Sequence, residues 1–117
     1  MDSANVGGIV MTLKEKVLEH WCTNRRIVRK SSGKWWPLVA SRGIKFTFSE
    51  GTVRVGGDAC AFCHKYLDCI GCPIMEKTEM KYCKGTPWFR VIMALRGTNK
   101  AAILRAMDEE IAFLEGL

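Results

Sequence analysis

Five cysteines fall between positions 60 and 83 of this 117-residue chain: Cys60, Cys63, Cys69, Cys72 and Cys83. Their spacing is C-x2-C-x5-C-x2-C-x10-C. A C-x2-C pair lets two thiolates grip one ion from a tight turn, and two such pairs supply the four soft donors of a tetrahedral zinc site. The segment lacks the apolar periodicity that would hold its own shape. A bound zinc contributes folding energy directly and can replace a local core. The spacing therefore predicts a metal-organised loop in the middle of the chain. Five thiols exceed four ligands. Cys60 and Cys63 are the leading pair, Cys72 and Cys83 follow, and Cys69 ranks last. His64 reads as a solvated neighbour of Cys63 rather than a ligand. Cys22 stands apart in a helical segment.

Other chemistries use similar spacings. CAFCH satisfies the covalent-haem pattern C-x-x-C-H, but it would leave the remaining cysteines without a role. An iron–sulfur cluster also needs four thiolates and often has a proline after a ligand cysteine, as Pro73 follows Cys72. The gaps differ from the ferredoxin runs, so a cluster stands as the alternative to zinc. A thioredoxin-type pair requires a βαβ setting, which a single hairpin does not provide. Buried free thiols are the plain alternative, and chelating spacing at five positions argues against it.

The opening MDSANVGGIV has neither a basic start nor a long apolar run, so no secretion signal is expected. No stretch approaches the roughly 20 apolar residues of a membrane span. The expected setting is the cytoplasm, without membrane contact, where thiols stay reduced and dense cysteines favour metal over disulfides.

Hydrophobic residues make up 48% of the chain and the net charge is +6. That charge is concentrated. From Trp21 to Ser49 there is no acidic residue, while Arg25, Arg26, Arg29, Lys30, Lys34, Arg42 and Lys45 are basic. Lys and Arg release counterions from phosphates, and an exposed tryptophan can stack on a base. Arg25, Arg26, Arg29, Lys30, Lys34 and Trp35 are thus the candidate nucleic-acid residues. Trp35 and Trp36 equally suit a small core. His20 reads as a packing or surface residue. Glu109 and Glu110 read as a solvated helix face. No Ser/His/Asp set, phosphate loop or H-E-x-x-H occurs, so neither an enzyme nor a small-molecule substrate is expected.

Thr12 and Glu15 have capping-box spacing, and Leu13, Val17, Leu18 and Trp21 share one face. A helix is expected from Leu13 to Arg25, reaching at most Val28. Pro37 bars a helix interior in the stretch that follows. IKFTF and TVRV alternate and flank SEG, which predicts a hairpin. The cysteine region should be loop, with at most a turn of helix over 64–68. Thr86 and Pro87 open a helix that stops at Gly97. Thr98 or Asn99 opens a last one, with Ile103, Met107, Ile111 and Leu114 on its inner face. The fold class is α+β: a small single domain with an N-terminal helix, a β-hairpin, a Cys-rich metal loop and two C-terminal helices. Residues 1–11 are expected as a flexible tail and residues 12–117 as one zinc-binding domain.

DACAFC, CIGCP and YCKGTPW, followed by a late amphipathic helix ending EEIAFLEGL, resemble a family of small cysteine-rich, zinc-finger-like proteins of phages and prophages. The resemblance covers Asp58–Trp88 well and the last helix loosely. It implies a zinc-type site built from Cys60, Cys63, Cys69, Cys72 and Cys83, and it implies no reaction. The expected function is an accessory protein with structural zinc that binds DNA or RNA through its basic 25–45 segment. The alternative is a phage-encoded adaptor or inhibitor of an acidic host protein, acting in the host cytoplasm.

Overall fold

The computed structural model describes residues 11–40, 43–56, 60–80, 83, 85–97 and 99–117. The expected tail up to residue 10, and Arg42, lie outside them. Helix α1 opens on the capping box. The Thr12 hydroxyl accepts from the Glu15 N–H at 3.1 Å, and the Glu15 carboxylate accepts from the Thr12 N–H at 2.8 Å. The helix runs Leu13–Lys30, past the expected limit at Val28. Arg29 and Lys30 favour that extension, because cations complement the negative end of the helix dipole. Ser31 then closes it, its N–H bonding the Ile27 carbonyl at 3.0 Å. Val17, Trp21, Asn24 and Val28 form the buried stripe.

Three antiparallel strands follow in the order β1 (Trp36–Ala40), β2 (Gly43–Phe48) and β3 (Gly51–Gly56). The predicted hairpin is β2–β3, with Phe46 opposite Val53 and Ile44 opposite Val55. Phe46, Phe48, Val53 and Val55 are buried, while Thr47 and Arg54 point to solvent. Strand β1 was not expected. Pro37 excludes a helix but suits an edge strand, where a missing N–H costs least.

Asn24 ties α1 to the sheet. Its amide donates to the Arg54 carbonyl at 3.0 Å and its oxygen accepts from the Arg54 N–H at 3.3 Å. The His20 Nε2–H donates to the same carbonyl at 2.8 Å. That bond ties His20 to β3.

The cysteine region holds more helix than the sequence predicts: α2 (Ala61–Lys65), a 3-10 turn (Leu67–Cys69) and α3 (Pro73–Thr78). Elements this short carry no readable period. Helix α4 (Trp88–Leu95) has Pro87 as its N-cap rather than its first residue, one position later than expected, and the Thr86 hydroxyl accepts from the Trp88 N–H at 3.1 Å. Helix α5 (Lys100–Glu115) starts behind Asn99, whose side chain accepts from the Ala102 N–H at 3.1 Å. Helix α5 packs against α1 and α4. Two lysines cap its C-terminal carbonyls: Lys14 bonds Glu115 O at 2.9 Å and Lys77 bonds Gly116 O at 3.1 Å. These bonds hold the start of α1 and the end of α3 at one end of α5, around the cysteines. The result is a small α+β domain.

Candidate metal centre and the adjoining cavity

Four pieces of local structure deliver the five cysteines. Cys60 is the N-cap of α2 and Cys63 lies in its first turn, so the x2 spacing places both thiols on the same side of one turn. Cys72 is the N-cap of α3, with Pro73 pre-set for the first helical position. Cys69 precedes it across a tight turn in which the Cys72 N–H bonds the Cys69 carbonyl at 3.1 Å. Gly71 stands in that turn at φ 84°, where a Cβ would be strained. Cys83 comes from beyond α3, its carbonyl accepting from the Thr86 hydroxyl at 2.9 Å. Cys69 and Cys83 both have left-handed backbones, at φ 65° and 61°. Such conformations cost of order 1–2 kcal/mol each and persist only where surrounding contacts impose them.

The five thiols line one cavity of about 10 Å³, walled by Phe62, Tyr66 and Ile74. That is room for about one water-sized sphere. A hydrogen bond from the Cys63 thiol, joined by the backbone N–H groups of Cys63 and Phe62, pushes Cys60 down to about 6 despite its burial. The same bond, with burial, pushes Cys63 up. Burial followed by the Cys60 charge pushes Cys83 up to about 12, and burial also raises Cys72. The Cys63 bond favours the thiolate form of Cys60, and charge there opposes ionisation of Cys63 and Cys83. Among the described residues, no three His, Cys, Asp or Glu side chains stand in the arrangement of a formed metal site. The five thiols nonetheless border one small space. His64 is exposed on the outer side of α2, and its charge helps to lower Cys60.

A second, larger cavity of about 540 Å³ adjoins the first, and Cys60, Cys63, Cys69 and Cys83 line both. Glu110 lines it too. The sequence reading placed Glu110 on a solvated face, and the structure corrects it: the residue is only 2% exposed. Glu109 is the solvated one, paired with Arg90 at 2.8 Å. Burial, then the nearby Cys60 charge, pushes the Glu110 carboxyl up to about 7. The signal was present in the spacing. Position 110 lies three residues after Met107 and four before Leu114, on the same buried stripe of α5.

The basic segment divides. Arg25 is engaged by Asp108 of α5 at 2.5 Å. Trp35 stacks on Phe48 with ring centroids 5.0 Å apart, and its indole N–H donates to the Leu95 carbonyl at 2.8 Å. Both are occupied in holding elements together. Arg26, Arg29, Lys30 and Lys34 are exposed. Comparison with protein-family models, curated proteins and solved structures finds no match. The resemblance to phage cysteine-rich proteins rests on the motif residues themselves.

Proposed function

We propose that this is a small zinc-binding accessory protein in which the metal is structural and the exposed end of α1 meets DNA or RNA. The observation that carries the reading is the convergence of five cysteines, from four separate local structures, on one ion-sized cavity. Cys60 and Cys63 lead the ligand set, with Cys72, Cys83 and Cys69 supplying the remainder. Zinc would neutralise the mutual repulsion of thiolates and fasten α2, α3 and the Cys83 turn together. Metal analysis of protein purified without added metal should give one zinc per chain and a colourless solution. A visible absorption band would point instead to the iron–sulfur alternative.

Arg26, Arg29, Lys30 and Lys34 support the nucleic-acid part. Each phosphate contact contributes roughly −0.9 to the slope of log affinity against log salt for duplex DNA. Joint replacement of Arg26, Arg29 and Lys30 by alanine should flatten that slope by about 3. Binding that is absent at low salt, or indifferent to salt, would sink this reading. One observation favours the adaptor alternative. Phe89 and Met93, one turn apart on α4, are 59% and 54% exposed, and such a pair suits a protein partner. Co-purification of a protein partner that survives nuclease and is lost with Phe89→Ser would select that alternative.

A further inference from the structure

The larger cavity is unexplained by a structural zinc. Its volume of about 540 Å³ falls within the roughly 300–1,000 Å³ of small-molecule sites. Its walls are largely apolar and aromatic, with Trp21, Tyr66, Trp88, Ile44 and Leu114 among them. Into this setting α5 delivers Glu110, 2% exposed. Its Oε1 is buried without a hydrogen-bond partner among the described residues. A buried carboxyl oxygen without a donor is costly. The neighbouring stripe positions, Met107 and Leu114, show that an apolar side chain suits this face. An acid retained here needs something that donates to it.

We propose that the cavity between α1, β3 and α5 is a binding site for a small organic amine, with its apolar body against the tryptophans and its ammonium group on Glu110. The chemistry is complementary at both ends. Aromatic faces attract cations as well as apolar groups, and an ammonium supplies the N–H donors that Glu110 Oε1 lacks. The expectation of no small-molecule ligand rested on the lack of catalytic motifs, which does not bear on binding.

The test uses the full chain and three probes of matched size: 2-phenylethylamine, 2-phenylethanol and phenylacetate. Binding is read by tryptophan fluorescence and by amide chemical shifts in ¹⁵N-labelled protein. The amine should bind saturably, shift residues of α1 and α5, and bind more tightly than the alcohol, with phenylacetate weakest. Glu110→Gln should weaken the amine by about tenfold or more, as loss of a charge-assisted hydrogen bond requires, and leave the alcohol nearly unchanged. Ile44→Trp, which fills the cavity from a half-buried position, should abolish binding of all three while the circular dichroism stays that of the parent. Equal binding of the three probes, or amine binding indifferent to both substitutions, would overturn the proposal. Zinc content is measured on the same samples, so failure of the cavity site is distinguished from failure of the metal site.

Discussion

Glu110 has a carboxyl of ordinary pKa 4.5 that reaches about 7 in the fold, mainly because burial disfavours its charge. Between those two values the folded chain keeps a proton that the unfolded chain has released. Its contribution to stability is complete below about pH 4.5 and is lost as pH rises through about 7. At roughly 1.4 kcal/mol per pKa unit, the loss is of order 3 kcal/mol. Urea unfolding across this range should show Glu110→Gln gaining on the parent as pH rises. Parallel pH profiles for the two proteins would refute the assignment. Gly85 is a second residue whose identity is set by space. A Cβ there would stand 2.8 Å from the Thr78 Cβ. Gly85→Ala should therefore force the Cys83 turn away from α3 and cost about 1–3 kcal/mol, readable as a lowered urea midpoint.

The elements differ in what makes them fold. Helix α1 is specified locally, by its capping box and its buried stripe, and its loss is correspondingly simple. Thr12→Ala should cost about 1 kcal/mol in a denaturant titration with metal content unchanged. Helices α2 and α3 are five and six residues long, too short to stand alone in water. On the proposed zinc reading, they depend on the metal that fastens the cysteines. A chelator should raise amide exchange across 60–80 first, while α1 and the β2–β3 hairpin stay protected. Uniform loss of protection along the chain, or none anywhere, would argue against a metal confined to this segment.

At the scale of the molecule, charge is arranged between helices rather than along the chain. Arg25 of α1 pairs with Asp108 of α5, which takes Arg25 out of the exposed set. Asp108→Ala should release Arg25, tighten any nucleic-acid complex and steepen its salt slope by about 1. A slope unchanged in that variant would place the binding surface elsewhere. His20 of α1, Glu110 of α5 and Cys60, Cys63, Cys69 and Cys83 line one cavity.

Capping residues and alternation were readable from the sequence because they act over three or four positions. Thr12 with Glu15, Asn99, and the IKFTF and TVRV strands all appear where local chemistry puts them. The cysteine spacing likewise named the five thiols that share a cavity, since C-x2-C is itself one turn of backbone. Strand β1, the short helices of the cysteine region and the employment of Trp35 and Arg25 were not readable. Each depends on a partner far along the chain: Phe46 and Thr47 for β1, Leu95 for Trp35, Asp108 for Arg25. Glu110 shows the difference most clearly. Its place on the α5 stripe was set by the 3.6-residue period. Whether that stripe carried an acid into water or into a cavity beside the thiols was decided only when α1 and the cysteine turns packed over it.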